Sequence, residues 1–279
     1  MKQHSAQIAQ LDPMQDYHEI VRLLTFYVFP WDIERALEFA LFRTYAVPTI
    51  SALLAQTGEF SQRPRKRYDD TELILYEILE HGFDSDRGRR ALRRMNQMHG
   101  RFPISNEDFL YVLTTFIFEP IRWVERFGWR AMTNNEKLAF FYYYRQLGLH
   151  MGIQEIPDAM EQFEQFNISY EREHYRYAAS NREIGDATVN LLLGMYAPRP
   201  LWAPLRPVAY AMMDEPLLDT FGFQHPPQKL RSFVEGALRL RARVLSWLPE
   251  RRQPWLGTQR KRPTYPEGYE IEELGTFTS

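Results

Sequence analysis

Asn106 to Phe127 reads NEDFLYVLTTFIFEPIRWVERF. Its middle, FLYVLTTFIF, is apolar on nearly every helical face, which predicts a central helix enclosed by others. Pro120 stands inside the run. It predicts either a kink whose free carbonyls border a gap or the junction of two helices. The helical spacing recurs on both sides of this segment. Toward the N-terminus, Asp16 to Phe29 stops at Pro30, Asp32 to Ala46 ends before Pro48, and Asp69 to Glu80 closes at His81-Gly82. A basic helix capped by Ser85 or Asp86 runs to His99-Gly100. Toward the C-terminus, Thr133 and Glu136 form a capping box opening LAFFYYYRQLGLHMG. Pro157 starts a further helix, and Asn181 to Tyr196 and Pro227 to Leu248 supply two more. Strand-like alternation between turns is scarce. The expectation is an all-α fold, a single globular domain of roughly eight to eleven helices over residues 1–249, with an irregular C-terminal tail over 250–279.

Composition narrows the chemistry. The chain has 279 residues, 44% hydrophobic and 15% aromatic, and a formal charge of -2 from 34 basic and 36 acidic side chains. That is a globular composition with no global field for nucleic acid. Cysteine is absent, which excludes disulfides, cysteine-ligated metals, a thiolate-ligated haem and a cysteine nucleophile. A metal must be held by His, Asp, Glu or Tyr, and a haem by His. The longest uncharged stretch, Thr44 to Gly58, has 15 residues, short of the ~20 a spanning helix needs. No secretory signal is visible, so a cytoplasmic location is expected. Nucleotide and serine-hydrolase motifs are missing, and the basic runs at 63–67, 87–94 and 259–262 carry no nucleic-acid motif.

The seven histidines show no HExxH pair. His99 ends the helix RRALRRMNQMHG with Met95 one turn earlier and Leu92 two turns earlier on the same face. A Leu, Met and His face beside arginines suits a flat apolar ligand bearing carboxylates, such as haem; a histidine capping its own helix explains it equally. Arg67 and Thr71 are four apart and share a helical face, with Asp69 or Asp70 able to cap that helix.

At these residues the chain resembles a known family. Arg67 to Glu80 (RYDDTELILYEILE) and Arg93 to Ile153, above all MHGRFPISNEDFLY and EPIRW, look like the haem-dependent oxygenase superfamily. That superfamily contains the fungal MpaB oxygenases and the bacterial rubber oxygenase called latex clearing protein, and the MpaB branch is the nearer. The resemblance covers Tyr17 to Leu193. It implies a haem b with His99 as the proximal iron ligand, and Arg67 and Thr71 on the distal side near dioxygen. Asp70 is counted with them among the candidate catalytic residues. It stands where the rubber-oxygenase branch has a lysine, so a lysine-closed state is not implied. Glu59 and Glu72 are the nearby candidates for a distal base. Arg94, Arg122 and Arg145 are candidate propionate partners, and Trp123 a candidate pocket wall. The implied activity is oxidative cleavage of a carbon–carbon double bond in an isoprenoid or other lipophilic substrate by O₂. The alternatives are another haem enzyme on the same scaffold, a hydroxylase or peroxidase, or a non-catalytic haem- or lipid-binding module. Expected partners are a lipophilic small molecule and O₂, without nucleic acid or a transmembrane segment; contact with a membrane surface stays open.

Overall fold

The computed structural model describes residues 2–275. It is all-α: α1 (Gln3–Ile8), α2 (Tyr17–Leu23), α3 (Pro30–Thr44), α4 (Pro48–Thr57), α5 (Glu59–Gln62), α6 (Pro64–His81), α7 (Asp86–His99), α8 (Asn106–Phe127), α9 (Asn134–His150), α10 (Met160–His174), α11 (Ala179–Tyr196), α12 (Trp202–Tyr210), α13 (Glu215–Phe221) and α14 (Gln228–Trp247). The helix expected over 16–29 ends in a π-helical turn at Leu24–Val28. The extra helices, beyond the eight to eleven expected, are chiefly the short α1, α4, α5, α12 and α13, of ten residues or fewer, too short for a hydrophobic period to stand out.

α8 is the spine, with α3, α9 and α10 packed along it. It runs unbroken through Pro120, so the segment is one helix and not the junction of two. Local capping chemistry holds where expected. Ser85 Oγ accepts from Gly88 N–H at 2.9 Å at the start of α7, and Thr133 and Glu136 cap α9 reciprocally. Gly88 permits the entry of α7 against the end of α6: a Cβ there would sit 1.8 Å from the Gly82 carbonyl oxygen.

α6 differs from expectation in one respect that matters. It begins at Pro64 in the first turn, where the missing N–H costs nothing, so Asp69 and Asp70 are interior residues and do not cap it. Both are buried and are met by the tail. Arg262 donates to Asp69 at 3.1 Å and pairs with Glu72, Thr264 Oγ1 donates to Asp69 at 2.6 Å, and Tyr265 hydroxyl bonds Asp70. Thr258 bonds Glu80, Tyr269 bonds Glu77 at 2.5 Å, and Ile271 and Leu274 enter the core. Gly257 lets the tail lie on the Tyr76 ring, where a Cβ would come within 1.9 Å. The tail is irregular as expected, and over 255–275 it is an anchored strap.

Removing Arg262 strips a guanidinium from a carboxylate that is itself fully buried, although Arg65 (3.0 Å) and Thr264 remain on Asp69. Arg262→Ala is therefore expected to lower unfolding free energy by about 2–3 kcal/mol, at the low end for breaking a buried pair. Urea titration of the two proteins checks this.

Candidate functional site

The hydrophobic core falls into two large clusters. One gathers α2 and α6–α9 around Leu73, Ile78, Ile117 and Phe140. The other gathers the end of α3 with α11 and α13 around Phe42, Tyr45, Phe60, Ile184 and Phe221. His99, at the last position of α7, lies where they meet. Its ring stands edge-on to Phe109, which packs on the first cluster, with centroids 5.5 Å apart. Arg67, in the first turns of α6, lies over the Phe60 ring of the second cluster at 5.3 Å. The Arg67 charge reaches both His99 and the buried Tyr45 phenol.

Neither polar side chain is satisfied. His99 Nδ1 and Arg67 Nε are shut from solvent without a hydrogen-bond partner. Arg67 has no carboxylate partner among the described residues. Desolvation, with the Arg67 guanidinium adding to it, pushes the His99 imidazole down to about 4. The ring is neutral at physiological pH and keeps a nitrogen lone pair for an electrophile. Five of the other histidines are engaged: His18 with the Leu79 carbonyl, His81 with Glu77, His150 with Gln146, His174 with the Tyr170 carbonyl and His225 with Asp219. His4 Nδ1 is also unpartnered; its ring sits against Tyr27, with centroids 4.3 Å apart. Among the described residues no group of three or more His, Asp or Glu is assembled around a metal. A lone neutral imidazole in an apolar seam suits an iron that brings its other donors in a macrocycle, and these residues fit a haem by that test.

One turn along α6 from Arg67, Thr71 lines a small internal pocket of about 40 Å³ with Leu37, Leu41, Leu75 and Phe116. Its hydroxyl donates to the Arg67 carbonyl at 2.9 Å. Three carboxylates line the same pocket. Glu34 and Glu72 are both met by Arg260, at 2.6 and 3.2 Å, and Glu72 also by Arg262. Glu38 accepts from Tyr68 hydroxyl at 2.7 Å and forms an ion pair with Arg35 at 2.9 Å. Desolvation outweighs these partners and pushes Glu38 up to about 7, with Glu34 and Glu72 adding to the rise.

Other candidates fall elsewhere. Asp70 is turned to the tail, paired with Lys66 at 2.7 Å and with Tyr265, because the strap supplies its partners. Arg94 donates to the Leu274 carbonyl at 2.6 Å. Arg145 pairs with Asp158. Glu59 is taken by Arg63 at 2.6 Å. Arg122 and Trp123 line a separate cleft of about 820 Å³ on the opposite face of α3. There Arg122 bonds Glu119 and Asn167, and Trp123 packs on Phe39 and Phe127. The structure thus brings Arg67 and His99 together with Thr71 one turn away, and places Asp70, Arg94, Arg122, Trp123 and Arg145 in other contacts. Glu38 carries no local signal in the sequence: its surroundings come from Tyr68 and the other residues of α6 that close on this pocket.

A family model described as "ER-bound oxygenase mpaB/B'/Rubber oxygenase, catalytic domain" matches residues 35–247, which includes Arg67, Thr71 and His99. The chain belongs to this family. Among curated relatives it is 33% identical over 195 residues to the ER-bound oxygenase mpaB of Penicillium brevicompactum, covering 63% of this chain and 50% of that protein. It is 30% identical over 239 residues to mpaB' of the same organism, covering 79% and 56%. It is 32% identical over 183 residues to the mpaB of Penicillium roqueforti, covering 59% and 61%. The chain spans little more than half the length of these relatives. Their names say ER-bound, in contrast to the cytoplasmic placement expected here. Among the described residues no single helix is long and apolar enough to cross a membrane.

Glu38 gives this pocket a titration signature. Its folded-state value lies above the unfolded one, so its contribution to stability is fully present below about pH 4.5 and is lost as pH rises through 7. The stability of Glu38→Gln relative to wild type should therefore rise by about 2–3 kcal/mol between pH 4.5 and 7.5. Denaturant titrations at both pH values read the difference; a constant gap would place the Glu38 carboxyl in an ordinary solvated environment.

Proposed function

We propose that this protein is a haem b-dependent oxygenase that uses O₂ to cleave a carbon–carbon double bond in an isoprenoid or similarly lipophilic substrate. The observation that carries the reading is the neutral, hydrogen-bond-free imidazole of His99 facing the unpaired guanidinium of Arg67 in the seam between two apolar clusters. When bound, haem supplies the iron at which dioxygen is activated. His99 would hold it, being neutral and a ready nitrogen donor at any pH above about 4.

The protein's own residues account for the rest. Arg67 presents N–H donors where negative charge develops on oxygen, in surroundings too apolar to screen them. Thr71 lines the pocket, and its hydroxyl donates to the Arg67 carbonyl one turn back on α6. Leu37, Leu41, Leu75 and Phe116 form the apolar side of the small pocket beside Thr71. Glu38, held by Tyr68 and Arg35, keeps a proton at its carboxyl near neutral pH, and in this reading it would exchange that proton with a carbonyl product.

Purified protein, or apoprotein titrated with haemin, is expected to show a Soret band. His99→Ala should lower haem affinity by at least about tenfold. Arg67→Ala should retain haem loading and slow O₂-dependent turnover of a polyprenyl substrate by roughly 10²-fold. Under ¹⁸O₂, carbonyl fragments each carrying label are expected. Wild-type protein without a Soret band removes the haem reading, and an intact labelled alcohol replaces cleavage with hydroxylation.

A further inference from the structure

α14 carries apolar residues on two faces. Val234, Leu238 and Ala242 are buried or turn to the body of the protein, Leu238 packing near Trp123 and Phe127. Phe233, Ala237, Leu240, Val244 and Trp247 recur at spacings of four and three on the outer side, and all five are exposed. Phe233 is 73% and Trp247 79% accessible. Between them Gly236 faces open space, with nothing within 4 Å of where a Cβ would stand. At 1.5 Å per residue the stripe is about 21 Å long.

Its borders are basic. From Lys229 to Arg252 there are seven basic residues and two acidic ones. Lys229, Arg239 and Arg243 lie along one border of the stripe by helical spacing. Arg239 reaches only Glu235, at 3.7 Å, while Lys229 and Arg243 have no acidic partner among the described residues. On the other border Arg241 is fixed by Asp32 at 2.8 Å and covers the partly exposed Trp31 at 3.8 Å.

We infer that the outer face of α14 is a membrane-docking surface that lies in the headgroup region of an anionic bilayer, with Phe233, Leu240, Val244 and Trp247 inserted and Lys229, Arg239 and Arg243 on lipid phosphates. The charge selects this occupant. A second copy of α14 would set arginines against arginines with no acid to answer them, whereas an anionic lipid surface answers every one. Aromatic and aliphatic residues with an arginine border at a helix face are the composition of a helix that lies in the interface and does not cross it. None of these residues contacts His99 or Arg67, so membrane binding and haem loading are separately measurable.

Co-sedimentation of the full chain with phosphatidylcholine vesicles containing 30% phosphatidylglycerol tests the inference. Wild type is expected to bind, and to bind roughly tenfold more weakly to pure phosphatidylcholine or in high salt. F233S/W247S and R239E/R243E should each lose about tenfold or more in affinity, with unchanged helical circular dichroism, and Trp247→Phe should keep binding. The W247F difference spectrum should show the Trp247 emission shifting to the blue on vesicles. Wild type left in the supernatant overturns the inference. So does binding that neither double variant weakens, or a dimer in sedimentation velocity that the same variants dissociate.

Discussion

A guanidinium without a carboxylate sits beside an imidazole without a hydrogen bond, and the surrounding protein has to hold that arrangement against its own electrostatics. Other enclosed arginines have acidic partners: Arg43 has Glu171, Glu119 and Asp214, Arg35 has Glu34 and Glu38, and Arg262 has Asp69 and Glu72. Arg67 has no acidic partner among the described residues, and it faces an imidazole whose buried Nδ1 makes no hydrogen bond. Unsatisfied buried polar atoms cost free energy that a packed fold ordinarily avoids, and such departures concentrate at sites where a ligand completes them.

Arg67 is carried by α6, and α6 is tied down by the tail. Besides Arg67 and Thr71, this helix bears carboxylates that residues of the tail and α7 hydrogen-bond or pair with. Asp69, Asp70, Glu72, Glu77 and Glu80 each receive a partner from residues 258–269, and Glu77 a further one from Arg87. The strap therefore does two things at once. It fixes the axis and rotation of the helix that presents Arg67, and it absorbs the charge of Glu34 and Glu72. Glu38 is left as the carboxyl of that pocket without a tail cation, which is why burial dominates its titration.

The large cleft beside Trp123 shows how differently the protein treats its other polar hollow. There Arg43, Arg122 and Arg126 all have acidic partners. The seam at His99 is the one where two apolar clusters meet around unsatisfied groups, and it lies within the segment that matches the oxygenase family.

What depends on neighbours along the chain was readable from the chain. The central helix Asn106–Phe127, the cap at Ser85, the box at Thr133 and Glu136, and the shared face of Arg67 and Thr71 all follow from helical period and local hydrogen bonding, which act within four residues. His99 stood out through the face it shares with Leu92 and Met95. Tertiary structure decided the counter-ions. Asp70 has the position of a cap or a catalytic neighbour of Thr71; its counter-ion Lys66 is one helical turn away, but the Tyr265 hydroxyl that ties it to the tail comes from 195 residues along the chain. Glu38 is buried only because α6 and Arg35 close over it. α14 offers two apolar faces of similar character, and packing alone determined which one meets the core. Period and capping are short-range effects fixed by backbone geometry. The assignment of each charge to its partner is a long-range effect, fixed only when separate helices are brought within a few ångströms and water is excluded between them.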